Sequence, residues 1–344
     1  MKVAMLLRYR DAEHENVFGY KLSKNSFGRQ PHLSEHGEAL RPILNEDLKD
    51  NDSNLHISKR PQDQVQGSIQ QLDLKRLNMN NKLPTFDLFG IQLHALSKHE
   101  LVDAVAQAIT SSGRCIIANH NLHSLYMWLH EPRMREFYCL ADYTHIDGMS
   151  LVLLGRLLGM PLKREHRTGY IDLLPLLARK AAENGWRIFY LGSKPGVAEE
   201  AVRNLRQQYR GLQILAHHGY FDARAQEVEN LAILAQINAY QPDILMVGMG
   251  MPRQELWILE NQQSISAHAV LCCGGLMDLV AGEIPTCPRW IGFVGFEWFY
   301  RLLSEPLRLW KRYLVEPWSV MGSFMRLHLG STLLRTNAGA NRND

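Results

Sequence analysis

Beyond Leu83 the chain alternates short apolar runs of strand length with longer amphipathic runs of helical period, a pattern that few folds accept. The strand-like runs include "TFDLFGIQLHA", "RCIIANHN", "WRIFYLGS", "LQILAHHGYF", "PDILMVGMG" and "HAVLCCGG". Between them lie "HELVDAVAQAITSS", "GYIDLLPLLARKAAENG", "GVAEEAVRNLRQQY", "VENLAILAQINAYQ" and "PRQELWILENQQ". Alternating β and α units predict a mostly parallel sheet covered by helices on both faces, a Rossmann-like α/β class. Four segments follow from texture. Residues 1–83 are polar, as in "LNEDLKDNDSNLHISKRPQDQVQGSIQQ", and read as a disordered extension. Residues 84–288 form the α/β domain, 289–335 an amphipathic helical appendage, and 336–344 a tail.

Composition excludes several function classes. A net charge of +3 over 344 residues is too small to mark a nucleic-acid binder, so only local clusters of charge count. The five cysteines form no CxxC pair, which fits a reduced compartment and argues against a zinc knuckle. Only residues 3–7 of the opening "MKVAMLLRYRD" are a candidate apolar core, too short for a signal peptide. No charge-free run reaches the roughly 18 residues of a membrane span. The expected setting is cytoplasmic.

In open parallel sheets ligands gather at the carboxyl ends of the strands. The polar residues placed there are Asn119 and Asn121 after "CII", Asp147 after "YTHI", and Gly192 and Ser193 after "IFYL". His218 and Gly219 follow "QILA", residues 248–254 follow "DILMV", and Gly274 and Gly275 follow "AVLCC". The helix that opens near Val197 could hold a phosphate on its free N–H groups, or simply end a turn. Neither GxGxxG nor GxxxxGK[ST] is present: in "VGMGMPRQELWI" Arg253 occupies the third glycine position, which disfavours a dinucleotide site. Pro252 suits a helix start that puts Gln254 and Glu255 at its N-terminal end, where they can meet a ligand. A capped helix without a ligand is the alternative. His120 and His123 are three apart, but no third ligand is suitably spaced and no DxD triplet occurs, so no metal site is expected.

The C-terminal stretch sets six Lys/Arg against three Asp/Glu between Glu297 and Arg335, interleaved with Trp298, Phe299, Tyr300, Trp310, Tyr313, Trp318 and Phe324. Such helices suit a bilayer surface with anionic headgroups. Arg301, Arg308 and Arg312 would share one side of a continuous helix, although Pro306 and Pro317 break it. A helical hairpin on the sheet, or an oligomer interface, is the alternative.

These residues together resemble the WecG/TagA/CpsF glycosyltransferase family (glycosyltransferase family 26). Its motifs appear in order from about residue 85 to 312: "ANHNLHSLY", "IDGMSLV", "HRTGYIDLL", "LGSKPGV", "HGYF", "VGMGMPRQELWI", "CCGGLMDLVAGEIPTCPRW" and "EWFYRLLSEPLRLWKR". The resemblance implies a GT-E type fold and a metal-independent inverting enzyme without a cofactor. Such an enzyme moves a hexose from a UDP-sugar donor to a polyprenyl-diphosphate-linked sugar acceptor at the inner membrane surface. It implies that Asp147 is the general base, with Gly148 leaving room for a sugar. Asn121, and Asn119 where the family usually has Thr, would contact a sugar. Arg167 would offset diphosphate charge, and Gly192, His218, Arg253, Gln254 and Glu255 would line the nucleotide-sugar pocket. The appendage would cover the site and bring Arg301, Arg308 and Arg312 to the diphosphate. UDP-glucose in exopolysaccharide assembly is the first expectation for the donor, and UDP-N-acetylmannosamine or its uronate the alternative. A non-catalytic membrane scaffold is the competing class, and homo-oligomerisation is left open.

Overall fold

The computed structural model describes residues 84–288, 291, 296–323 and 325. The expected extension over 1–83, the tail over 336–344 and the remainder of the appendage lie outside the described residues.

Eight strands form one sheet: β1 (Thr85–Leu88), β2 (Ile91–His94), β3 (Cys115–His120), β4 (Tyr143–Ile146), β5 (Arg187–Gly192), β6 (Gln213–His217), β7 (Ile244–Gly248) and β8 (Ala269–Cys272). Their order is β1-β2-β4-β3-β8-β7-β5-β6, and every pairing is parallel except that of β1 with β2. That exception comes from a two-residue hairpin. Phe89 and Gly90 both have positive φ, and Gly90 N donates to Asp87 Oδ1 at 3.0 Å. Such a turn matches the twist of the strands it joins.

β3, β4, β7 and β8 are buried along their whole length, which explains why they read as continuous apolar runs. Two cores result. On one face α1 (Lys98–Thr110), α5 (Tyr170–Asn184) and α6 (Val197–Gln208) pack Leu101, Leu177 and Leu205 against Tyr143, Ile188 and Met246. On the other, α2 (Leu122–His130), α3 (Pro132–Leu140), α4 (Met149–Leu157), α7 (Val228–Tyr240) and α8 (Arg253–Asn261) bring Leu125, Phe137, Leu151, Ile237 and Trp257 to Phe189 and Leu245. α6 shows the logic: Ala198, Ala201, Val202 and Leu205 recur at helical spacing and are its buried residues.

The helix after β3 joins one core, while α9 (Leu276–Val280), after the adjacent strand β8, joins the other through Leu276 and Met277. Neighbouring strands whose helices leave in opposite directions open a crevice at their carboxyl ends. Asn119, Asn121, Asp147 and Gly274 all stand at that end.

Candidate active site

Asp147 leaves β4 held against β3. Its N–H donates to His120 O at 2.8 Å, and its Oδ2 accepts from Asn119 Nδ2 at 3.3 Å. The following segment is drawn to the same place, because Thr168 N donates to Ile146 O at 2.7 Å and Thr168 Oγ1 to Leu96 O at 2.7 Å. The chain therefore passes so close that a Cβ on Gly169 would lie 3.4 Å from Asp147 Oδ1. Arg167 is carried in with it.

The third contribution comes from the C-terminal segment, helices α10 (Glu297–Ser304) and α11 (Pro306–Leu314). Arg167 Nη2 donates to Glu297 Oε2 at 2.7 Å, and the other carboxylate oxygen lies 3.1 Å from Arg301 Nη2. One acid thus bridges two guanidiniums beside Asp147. At the far end of the same segment, Glu316 meets His123 Nδ1 of α2 at 2.7 Å. Burial pushes the Asp147 carboxyl above the usual carboxylate range, the Arg301 charge and the Asn119 hydrogen bond oppose this, Glu297 adds to it, and Arg167 opposes it. Surrounding protein crowds the carboxyl even though the residue as a whole is only partly shielded from solvent. Arg312 also lies within electrostatic reach of Asp147 and Arg301.

Arg308 departs from the expectation: it is exposed and pairs with Glu305, the residue that precedes its own helix. The break at Glu305 and Pro306 separates α10 from α11, so the i, i+7 relation to Arg301 no longer holds. Two of the three expected arginines reach the site.

Other expected ligand contacts turn out to have structural partners. Asn121 caps α2, its Oδ1 accepting from Ser124 N at 3.1 Å while Ser124 Oγ accepts from Asn121 N at 2.8 Å. Only its amide NH2 is left for a sugar. Gln254 does not project into solvent but is fully buried, its Oε1 accepting from Gly250 N (3.3 Å) and Gly274 N (3.1 Å). It clamps the loops after β7 and β8 together. Glu255 is likewise turned inward, 1% exposed, with Oε1 accepting from Gln254 Nε2 at 2.7 Å. Both point inward because Trp257 and Ile258 set the phase of α8 against the core.

Gly192 is required by packing, since a Cβ there would meet Gly248 O at 2.4 Å. At Gly148, φ is −169° and a Cβ would make only ordinary contacts, 3.5 Å from Asn121 Cβ and Ser150 Oγ, so local packing does not demand glycine. Arg253 lies over the Phe221 ring and donates to Phe221 O at 2.7 Å. His218 sits beside His217, whose Nδ1 lies 2.8 Å from His218 O. These two stand just beyond the carboxyl ends of β6 and β7, at some remove in sequence and sheet order from Asp147.

His120 and His123 diverge, one to Ser124 Oγ at 2.7 Å and the other to Glu316. Among the described residues no three His, Cys, Asp or Glu side chains are grouped to hold a metal ion. Sequence reasoning missed Glu297 as the bridge between Arg167 and Arg301. The signal was present in "EWFYR", where Glu297 and Arg301 stand at i, i+4. It also missed Tyr170, which is buried against His145.

Comparison with known proteins identifies the family. The model of the "Glycosyl transferase WecG/TagA/CpsF family" matches residues 86–332. Among curated relatives is the N-acetylglucosaminyldiphosphoundecaprenol N-acetyl-beta-D-mannosaminyltransferase of Staphylococcus aureus, represented by strains MRSA252 and NCTC 8325. Each is 28% identical over 230 residues, covering 66% of this chain and 85% of the relative. The family match spans the sheet, the Asp147 crevice and the segment carrying Glu297, Arg301 and Arg312, and so the chain belongs to the WecG/TagA/CpsF glycosyltransferase family.

Proposed function

We propose that this protein is an inverting transferase that moves N-acetylmannosamine from its UDP derivative to a polyprenyl-diphosphate-linked N-acetylglucosamine. The observation that carries the chemistry is the Asp147 carboxylate, held at the crevice by Asn119 with Arg167, Arg301 and Arg312 around it. The donor is read from the relatives, whose name specifies N-acetylmannosaminyl transfer to N-acetylglucosaminyldiphosphoundecaprenol. They favour the amino sugar over the UDP-glucose first expected.

In this reading the acceptor hydroxyl attacks the anomeric carbon from the face opposite UDP, and Asp147 takes its proton as the new bond forms. Its raised proton affinity suits that task. The nearby guanidiniums stabilise the negative charge that gathers on the departing diphosphate. Glu297 holds Arg167 and Arg301 in place before substrate arrives, and must share them once a diphosphate binds.

The C-terminal helices supply a membrane contact. Trp298, Phe299, Leu303, Leu307, Trp310, Leu314 and Trp318 are exposed on a segment that also carries Arg308 and Lys311. No helix among the described residues is long and apolar enough to cross a membrane, so the proposed attachment is peripheral. A scaffold without catalysis would have no use for an Asp147 surrounded by three arginines.

The test is a transfer assay on purified protein with a short-chain polyprenyl-diphosphate N-acetylglucosamine and a panel of UDP-sugars, read by mass spectrometry of the lipid. Mass gain with UDP-N-acetylmannosamine supports the proposal. Gain only with UDP-glucose on a glucosyl lipid would overturn the choice of sugar, and no gain with any pair would overturn the activity.

A further inference from the structure

Between Asp147 and Thr168 the chain leaves the crevice and comes back to it. It leaves from Asp147, whose N–H is bonded to His120 O of β3. It returns where Arg167 stands alongside Ile146 in an isolated parallel bridge and Thr168 N donates to Ile146 O at 2.7 Å. Between these two roots run α4 and the loop over 158–166. At about 1.5 Å per residue, α4 carries the chain roughly 12 Å from Met149 to Leu157.

The tip of this excursion is pinned. Gly159 turns the chain with a φ of 82°, Met160 N donates to Gly155 O at 2.9 Å, and Arg156 Nε donates to Leu162 O at 2.6 Å. Leu162 is buried so tightly on Gly155 that no Cβ would fit between them.

What the pinned tip presents is apolar and basic. Leu153 is 56% exposed and Leu157 82%, and the two stand at i, i+4 on one side of α4, with Leu158 exposed as well. The same tip carries Arg156, Lys163 and Arg164, all exposed, against a single acid, Glu165, which lies 3.4 Å from Lys163. Leucines set among cations fit a surface whose interior is hydrocarbon and whose face is phosphate. A second copy fits less well, because two-fold packing of this patch would set the three cations against the same three. The tip is also continuous with the C-terminal helices, since Arg167 at the end of its loop pairs with Glu297 at the start of α10 at 2.7 Å.

We propose that this tip, formed by Leu153, Leu157 and Leu158 with Arg156, Lys163 and Arg164, is a second bilayer contact, built into the catalytic domain and specific for anionic lipid. The leucines enter the acyl boundary and the cations meet the headgroup phosphates. Its use is to seat the crevice at headgroup depth. A polyprenyl diphosphate presents its phosphates there, and the two roots of the tip, Asp147 and Arg167, are groups that must meet that acceptor. This use rests on the lipid-acceptor reading above; the contact with lipid does not.

The experiment places an environment-sensitive fluorophore at Leu157→Cys in the full chain, with the more accessible cysteines removed as Cys139→Ser and Cys287→Ser. Phosphatidylglycerol or phosphatidylcholine vesicles that hold no acceptor are then added. The same label at Arg210→Cys, exposed in the turn before β6 at the amino end of the sheet, is the control. The Leu157 label should shift to the blue and brighten with the anionic vesicles and far less with the neutral ones, and the Arg210 label should do neither. In parallel, Leu157→Ser with Leu158→Ser, and Lys163→Glu with Arg164→Glu, should each weaken binding to anionic vesicles on the order of tenfold. Their melting temperatures should not move, because all four side chains are exposed. Turnover should fall with a long-chain acceptor held in vesicles and stay near the wild-type level with a soluble short-chain acceptor.

A Leu157 label that ignores anionic vesicles, or a charge-reversed variant that binds them as tightly as wild type, would overturn the proposal. A response that needs added acceptor lipid would also overturn it, by giving the patch to the prenyl chain. So would a label already in an apolar environment before vesicles are added, which would give the patch to another part of the chain or, if the signal grows with protein concentration, to a second copy. Inactivity with every UDP-sugar would instead sink the transferase reading, while the label, which needs no turnover, would still decide the lipid contact.

Discussion

Replacing Asp147 with asparagine separates what this residue does for catalysis from what it costs the fold. Asparagine keeps the shape and can still meet Asn119, but it removes the basic oxygen and the charge between Arg167 and Arg301. A general base contributes about 10²–10⁴ in rate, or roughly 3–5 kcal/mol of barrier at about 1.4 kcal/mol per decade. The expected kcat falls by that factor. UDP affinity, measured by calorimetry, should hold or tighten, because the arginines lose a competing anion. Stability should move the other way. The folded protein holds the Asp147 carboxyl above its ordinary proton affinity, so the stability this group contributes is present at low pH and lost as pH rises through the folded-state value. The asparagine variant escapes that loss. It should melt above the wild type at pH 8, and the gap should close towards pH 4. Turnover within threefold of wild type would refute the assignment of the base. A lower melting temperature at pH 8 would show that the cations outweigh burial, making Asp147 an ion-pair residue first.

Arg301→Ala should lower kcat by roughly 10²-fold, the scale of losing one fixed charge at a leaving group; Arg308→Ala, in the same segment but turned away, should leave it within about twofold. Glu255→Gln should gain stability relative to wild type as pH rises from about 4.5 to about 7 and level off above that, by about 3 kcal/mol for a carboxyl raised to about 7, checked by urea denaturation across pH. Gln254→Ala removes the two hydrogen bonds that join the loops after β7 and β8 and a third to Glu255, and should cost about 2–4 kcal/mol in the same measurement. Trp298→Ala with Trp310→Ala should weaken sedimentation with anionic vesicles while leaving the melting temperature nearly unchanged, since both side chains are exposed.

Much of the architecture was legible before any coordinates. The start of α6 at Val197, the span of α5 and the position of Asp147 directly after β4 all follow from apolar period and punctuation. The antiparallel hairpin was less visible, because "TFDLFGIQLHA" reads as another strand until Phe89 and Gly90 turn it back. At the site, the identity of the acid was legible and its partners were not. Asn119 was expected to face a sugar, yet it is the β3–β4 register, with Asn119 opposite His145, that turns its amide to Asp147. Glu297 lies 130 residues from Arg167, and no local pattern joins them.

The sequence by itself determined the α/β class, the helix phases of the long amphipathic segments and the family, because periodicity and ordered motifs are properties of neighbouring residues. Only the tertiary structure decided which polar residues face the crevice. Gln254 and Glu255 turn inward because Trp257 must be buried, and Arg308 turns outward because the helix breaks before it. Arg167 and Arg301 meet because one carboxylate can satisfy both in a partly desolvated place. Such choices depend on which distant surfaces compete for burial, and that competition is settled only when the whole sheet and its helices have packed.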